Sequence, residues 1–334
     1  MEIDEKKLRY KAIVISSSGT QYDVSNAVKD LGWSEASKEL AMKSTFTLLN
    51  VDHKGQKLSQ IIKIGSRIVI KSNWSGSFEP VATVIVFQAT EATGKSNEAY
   101  TIMAYDSLYP LQKSHEDYYK SKGKGTKGLI KDVLSEWGIK LGEYKGPNVT
   151  HDKIKFQNKA ISDIILGILK EAKQKGGGRS ILRTTPDGKA SVVKLGSNDI
   201  IWELTGDNVV SSEHTLSATN LVTKVKIMST SSKKKAPKVQ AVVKGNTEFG
   251  TFQQLVTHNK NEKMSVAKKE AKEMIKDKPE ESSKVEAPDV PPMRKGDKVS
   301  VHVGSLNGLF IVTDINHDAD AGKMTLTVKK ESQI

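Results

Sequence analysis

The chain has 334 residues, a formal net charge of +13, 37% hydrophobic and 27% charged residues, and no cysteine. That length holds two or three domains, each with a core of its own. The missing cysteines exclude disulfides, thiolate metal sites and cysteine nucleophiles, and with no run of about 18 apolar residues no membrane insertion is expected. The start, Met1-Glu2-Ile3-Asp4-Glu5-Lys6-Lys7, is charged and lacks an apolar core, so secretion by the general route is not expected.

Leu8 to Asp106 is predicted to be strand-rich, with alternation in Thr45-Phe46-Thr47-Leu48 and Arg67-Ile68-Val69-Ile70-Lys71 and turns at Ser18-Gly19 and Ser75-Gly76-Ser77. Ser34 to Lys38 fits a helical turn or a loop. From Ser107 to Lys175 the period changes. Thr126 can cap a helix whose apolar stripe is Leu129, Ile130, Val133, Leu134 and Trp137, stopped at Gly138. A second helix carries Ile161, Ile164, Ile165, Ile168, Leu169 and Ala172, and ends at Gly176-Gly177-Gly178. A hairpin follows, Ser180–Thr184 and Ala190–Leu195, turning at Pro186-Asp187-Gly188.

Strand character returns at Leu221–Ile227, where Thr223, Val225 and Ile227 share one face and lysines the other. A short helix is predicted next, capped by Thr247 and burying Phe249, Phe252, Leu255 and Val256. A longer one, about Met264 to Lys276, has a narrow stripe of Ala267, Ala271, Met274 and Ile275 and suits an exposed surface. Asp277 to Pro292, rich in Pro, Glu and Ser, reads as a linker.

One β pattern occurs twice. Gly65-Ser66-Arg67-Ile68-Val69-Ile70 leads to Val81–Val86 and then Tyr100-Thr101-Ile102-Met103-Ala104. Gly296-Asp297-Lys298-Val299-Ser300-Val301 leads to Leu309-Phe310-Ile311-Val312 and then Met324-Thr325-Leu326-Thr327-Val328. Each copy is a Gly-led turn, an alternating strand, a second strand and a closing strand: a small antiparallel sheet or barrel made twice. A chain offering two similar surfaces fits a symmetry adaptor better than an enzyme. The repeat also aligns the turns Ser72–Phe78 and Gly304–Asn307 as candidate contact surfaces.

The search for chemistry finds no specific signature, so no catalytic, cofactor-binding or metal residue is assigned. Gly176–Gly178 with Arg179 follow a helix and precede a hairpin, the wrong order for a phosphate cradle. His53, His115, His151, His214, His258, His302 and His317 include no pair at helical i, i+4 spacing and no HExxH. His302 and His317 are expected at polar strand edges. Asp314, Asn316, Asp318 and Asp320 lack the glycine and closing glutamate of a calcium loop and read as a turn. Gly-x-Ser-x-Gly is absent. The basic runs Lys120–Lys127 and Lys233–Lys235 are glycine-interrupted or Ser/Pro-flanked and read as solvated loops. The other lysines are scattered among acids, with no aromatic pair set for stacking bases. A nucleic-acid-binding protein and a cell-wall hydrolase stay open as alternatives to a structural role.

The order of several segments resembles central baseplate hub proteins of contractile phage tails. These segments are Glu98–Leu111, the helix from Thr126 to Trp137, Ile161 to Leu195, Phe249-Gly250-Thr251-Phe252-Gln253-Gln254 before a lysine-rich helix, and Gly308–His317 with Lys323–Val328. The resemblance is to hubs of the XkdQ/YqbQ type, from PBSX-like prophages and R-type tail bacteriocins. The resemblance covers nearly the whole chain and implies an α+β, mostly β fold. In it, two similar antiparallel, tube-like β-barrel domains flank a small α+β domain, and a helical insertion interrupts the second barrel. The corresponding divisions are 1–110, 111–200 and 201–334, with the insertion at about 246–278 and the linker at about 279–292. It further implies a homotrimer forming a pseudo-sixfold ring between the hexameric tail tube and the trimeric central spike. The tape-measure protein terminus and other baseplate proteins, of wedge or LysM type, would be neighbours. Localisation would be the producing cell's cytoplasm during assembly and the particle's baseplate afterwards. No cofactor is implied.

Overall fold

Period-two alternation becomes strand along most of the first hundred residues. The computed structural model describes residues 3, 5–16, 18–53, 55–93, 98–230, 236–258 and 263–333, and the Lys233–Lys235 run lies outside them. The first elements are β1 (Tyr10–Ile15), β2 (Gln21–Asp23), β3 (Val28–Glu35), β4 (Lys43–Leu49), β5 (Asp52–His53), β6 (Gln56–Lys57), α1 (Leu58–Ile61), β7 (Arg67–Ser72), β8 (Glu79–Thr93) and β9 (Glu98–Tyr105). Hydrogen bonding orders them β3-β4-β9-β8-β7-β1-β2, with β5 and β6 forming a separate two-residue hairpin. Every pairing along that path is antiparallel. Ile68 and Ile70 of β7 and Phe46 and Leu48 of β4 point inward with Val84, Ile102 and Trp33 to make the first core. Ser34 and Glu35 complete β3, and the chain turns immediately after them.

The change of period brings α2 (Tyr109–Lys113), β10 (His115–Lys120), α3 (Thr126–Glu136), β11 (Leu141–Tyr144), β12 (Ile154–Ala160), α4 (Ile161–Ala172), β13 (Ser180–Thr184) and β14 (Ala190–Lys194). The apolar stripes of α3 and α4 are buried together in a second core with Leu182, Ala190 and Val192 of the hairpin. Gly125, not Thr126, stands at the N-cap of α3, and Thr126 is the first helical residue, turned inward. A Cβ on Gly167 of α4 would lie 2.6 Å from the Phe156 ring, so β12 approaches this helix where only glycine leaves room.

The remaining strands are β15 (Trp202–Thr205), β16 (Ser211–Ser217), β17 (Lys224–Ser229), β18 (Val239–Lys244), β19 (Gln253–His258), β20 (Glu280–Pro288), β21 (Lys298–Val303), β22 (Leu306–Asp318) and β23 (Lys323–Lys329), with α5 (Met264–Glu273) before β20. The order β16-β20-β23-β22 continues through β3 into the first set, giving one 13-stranded sheet in which β21 pairs with β22 and β15 with β21. Val285, Val299, Val301, Phe310, Leu326 and Val328 form a third core. The fold is thus mostly β, built from large antiparallel sheets.

Residues 214–283 form a compact unit distinct from residues 1–213 with 284–332. In it β17 pairs antiparallel with β18 and parallel with β19, and Val225, Ile227, Ala267 and Ala271 make its core. Two expectations fail here. The helix predicted over Thr247–Val256 is a turn followed by β19: Asn246 Oδ1 accepts from Glu248 N at 3.0 Å, Gly250 has φ +110°, and Phe249, Phe252 and Leu255 are exposed. The expected linker is largely strand β20, because Ser283, Val285 and Ala287 alternate inward beneath its Pro, Glu and Ser composition.

The repeated pattern is repeated in hydrogen bonds. Gly65 (φ +87°) and Gly296 (φ +90°) each open a meander. Gly65 N donates to Val86 O at 2.9 Å and Gly296 N to Val312 O at 2.8 Å, while Val86 N and Val312 N donate back to Ser66 O and Asp297 O, both at 2.9 Å. The turn before each glycine is closed by the same side-chain position: Lys63 N donates to Ser66 Oγ at 3.0 Å and Arg294 N to Asp297 Oδ2 at 2.9 Å. Arg67 faces Ile85 as Lys298 faces Ile311, and Ile85 faces Tyr105 as Ile311 faces Lys329. A bulge then follows Val86 in β8 and Val312 in β22.

Candidate functional site

Several polar constellations have the composition of catalytic sites. Thr126 Oγ1 lies 2.8 Å from His151 Nε2, and His151 Nδ1 lies 3.2 Å from Glu171. This hydroxyl–imidazole–carboxylate order could activate a nucleophile. Thr126 and His151 are closed to solvent, however, and the hydroxyl already donates to Val149 O at 3.2 Å. A substrate has no approach, and the set ties α3 to the loop before β12. Ser283 Oγ, His214 Nδ1 and Glu281 make a comparable line, with the serine again buried. Among the described residues no group of three or more His, Asp and Glu side chains is placed to hold a metal ion. No helix there is long and apolar enough to cross a membrane.

The other candidates take structural places. Gly176 and Gly178, both at positive φ, carry the chain out of α4 toward β13, and Arg179 donates to Glu331 O at 2.8 Å. Asp318 Oδ1 accepts from Ala321 N at 2.9 Å and Asp314 Oδ1 from Ser37 N at 2.8 Å, so these carboxylates hold turns. In the Lys120–Lys127 run, Lys124 pairs with Asp132 at 2.8 Å and Lys127 sits over the Tyr144 ring. His302 keeps the polar, exposed setting expected of it, bonding Ser300 and Asn307, although β21 is paired on both sides, by β15 and β22, and is no edge.

His317 does not. It is completely buried at the junction where β22 pairs with β3, facing Trp33. Its ring stacks on the Trp33 indole with centroids 4.5 Å apart. Nδ1 lies 2.6 Å from Asp289 Oδ1 and Nε2 lies 3.1 Å from Met293 O. The Tyr10 hydroxyl donates to the other oxygen of Asp289; burial, with the Asp289 charge adding, pushes this phenol far up. Sequence alternation places His317 on a face but is silent about the strand arriving from residues 32–35.

The same junction carries a buried charge cluster. The Arg294 guanidinium grips Glu35 with both arms, at 2.6 and 2.9 Å, and donates to Thr184 O at 3.0 Å. Lys295 Nζ donates to Ala36 O at 2.9 Å and Glu39 O at 2.7 Å. Arg183 bridges to Asp297 Oδ1 at 2.7 Å. Burial alone would raise the Glu35 carboxyl, but the adjoining Arg294, Lys295 and Arg183 charges outweigh it and hold it at about 2. Asp106 sits nearby and accepts from Met42 N, Leu108 N and Thr184 Oγ1. Burial pushes it up to about 6 despite those donors, with the Glu35 charge adding. Glu35 and Arg294 are 259 positions apart, and their only local signal is that Arg294 precedes the second copy of the repeated turn.

This junction performs no chemistry that a substrate could reach. It locks the two meanders and the hairpin of the middle segment in one arrangement. The turns aligned by the repeat, 73–78 between β7 and β8 and 304–305 between β21 and β22, sit at corresponding corners of the two copies.

The family model described as YQBQ-like matches residues 31–329. Among solved structures, the chain shares its fold with the 43 kDa tail protein of prophage MuSo2 from Shewanella oneidensis (15% identity, TM-score 0.69, 97% of this chain and 99% of that one). It shares it also with a tail protein from Neisseria meningitidis MC58 (13% identity, TM-score 0.70, 97% and 98%). The c3393 protein of E. coli is described as a type VI secretion component structurally similar to the phage T4 tail proteins gp27 and gp5. It aligns at 8% identity and TM-score 0.52, over 99% of this chain and 77% of its own. No curated protein matches the sequence.

Proposed function

The chain belongs to the YQBQ-like family, and from that membership we propose that it is a structural baseplate component of a contractile tail or tail-like particle. More closely, it is the hub: three copies form a ring whose six similar β halves match the sixfold tail tube on one side and the threefold spike on the other. The observation that carries this reading is the duplication of the meander down to its turn and bulge, since two equivalent halves per chain turn threefold symmetry into approximate sixfold symmetry. The tail-protein folds that align along nearly the whole chain support it.

On this reading the protein is a scaffold and not a catalyst, with the buried hydroxyl–imidazole–carboxylate sets serving packing. The tail tube, central spike, tape-measure terminus and other baseplate proteins are its partners, and the Ser72–Phe78 and Gly304–Asn307 corners are candidate contacts. The middle α+β segment and the 214–283 unit face other baseplate neighbours. Its place is the cytoplasm of the producing cell during assembly and then the baseplate.

The test is native mass by light scattering at low and high salt. A trimer that survives high salt is expected, because a ring held by β contacts and buried apolar surface is screened little. A monomer that binds nucleic acid at low salt and releases it steeply as salt rises would replace the hub with a basic nucleic-acid-binding protein.

A further inference from the structure

The pairing of β22 with β3 has a counterpart position that is empty within the chain. Beyond its bulge, β22 has β23 on one side and, from Ile315 to Asp318, β3 on the other. Through the shared register, Gln88 corresponds to Asp314 and Ala89–Ala92 to Ile315–Asp318, since Gln88 faces Met103 as Asp314 faces Thr327. This part of β8 pairs with β9 on one side, and β7 covers the other side only as far as Ile85. Among the described residues no strand pairs with the outer edge of Gln88–Ala92.

Exposure follows the difference. Ile315 and His317 are 2% and 1% exposed, whereas Gln88, Thr90, Glu91 and Ala92 are open to solvent. The turns behave alike. Arg294 and Lys295 are buried against Glu35 of β3, while their counterparts Lys63 and Ile64 are exposed, Ile64 by 62%. An unpaired edge flanked by an exposed isoleucine is a template for another strand.

The repeat also says which strand. The order β16-β20-β23-β22 in the second half repeats β3-β4-β9-β8 in the first, so β16 stands where β3 stands. It is the terminal strand of the sheet, and Ser211–Glu213 are exposed. Along the sheet path β20, β23, β22, β3, β4 and β9 separate it from β8. We propose that the outer edge of β8 over residues 88–92, with the Lys63–Ser66 turn beside it, receives β16 of a second copy of this chain as an antiparallel strand. The contact repeats between chains the junction that β3 and β22 make within one. It is head-to-tail, the kind of contact that closes into a ring or runs on as a filament; closure at three copies rests on the ring reading above.

Cysteine is absent from the chain, so introduced pairs report without background. The full-length protein carries Ala92→Cys combined in turn with Ser211→Cys, Ser212→Cys or Glu213→Cys. Facing residues of antiparallel strands lie within disulfide range. After mild oxidation, at least one pair should give a covalent ladder ending at three times the chain mass, absent from every single-cysteine variant and collapsed by reductant. Light scattering of the same reduced samples separates the two ideas. A native trimer that forms no interchain disulfide with any pair overturns this contact and leaves the ring standing; a monomer without cross-links overturns both. A second variant, Gln88→Lys with Thr90→Lys, places edge lysines where the strand should dock. With melting unchanged, it should weaken self-association at least tenfold, and an unchanged dissociation curve counts against the proposal.

Discussion

Gly65 and Gly296 hold the same place in two copies of one turn, yet only Gly296 is enclosed. Both sit near φ +90° and both donate to the second strand of their meander, Gly65 to Val86 O and Gly296 to Val312 O. A Cβ on Gly65 would meet nothing, whereas on Gly296 it would lie 2.2 Å from Ile181 Cδ1. The copies share local architecture and differ in what has been packed against them.

Alanine at the two positions should therefore separate backbone strain from crowding. Gly65→Ala carries only the left-handed strain of an L-residue, about 1–2 kcal/mol. Gly296→Ala adds the displacement of Ile181, another 1–3 kcal/mol or so of overpacking. Urea denaturation of both variants should rank Gly296→Ala as clearly the more damaging, and equal losses would mean that the hairpin yields freely to the second turn.

Arg294→Met removes the guanidinium and leaves the Glu35 carboxylate buried with only the Lys295 and Arg183 charges near it. Breaking a buried pair from one side costs about 3–5 kcal/mol. The double variant Glu35→Leu, Arg294→Met should regain much of that loss, since carboxylate and guanidinium are removed together and Lys295 keeps its hydrogen bonds to Ala36 O and Glu39 O. Thermal and urea unfolding of the two single variants and the double variant check this. A double variant no better than the single would show that the contact to Thr184 O, not the ion pair, matters most.

The sequence makes the meanders legible because β7, β9, β21 and β23 are half-buried and alternate, and the α3 and α4 stripes because each packs on one side. It misleads where composition and position disagree. Phe249, Phe252 and Leu255 look like a buried face but are solvent-exposed, and the Pro/Glu/Ser stretch before Val290 is strand because only its inward alternate residues count. The junction residues were not legible at all. His317 reads as an edge residue until Trp33, 284 positions earlier (317 − 33), is known to face it. Nothing local marks Glu35 as the partner of Arg294.

His317→Leu keeps volume over the Trp33 face but strands Asp289, whose remaining side-chain donor is the Tyr10 hydroxyl. An unsatisfied buried acceptor costs about 1–3 kcal/mol, and more for a charged one. The expected result is a loss of that size with the far-ultraviolet spectrum retained. His317→Leu combined with Asp289→Asn should recover part of it. A single variant as stable as the parent would mean that apolar packing over Trp33, not the imidazole or its hydrogen bonds, is what the position requires.

Two carboxyls in this cluster pull stability in opposite directions with pH. Glu35 has a folded value of about 2 against its ordinary 4.5, so its contribution is complete above about pH 4.5 and lost as pH falls toward 2. Asp106 is pushed up to about 6 from 3.8, so the folded chain holds that proton more tightly than the unfolded one, and stability falls as pH rises from about 4 to 6. Each of these two changes is worth roughly 3 kcal/mol. Stability measured by urea denaturation from about pH 2 to 7 should therefore peak between about 4 and 5. Asp106→Asn should reduce the decline on the alkaline side of that peak, leaving the part due to Asp297, whose carboxyl burial also raises, while Glu35→Gln should shrink the acid limb, to which Asp152 and Asp187, held low by Lys175 and Lys189, also contribute. A parent curve that rises steadily to neutrality would mean that Asp106 ionises without penalty, and the burial argument for it would fall.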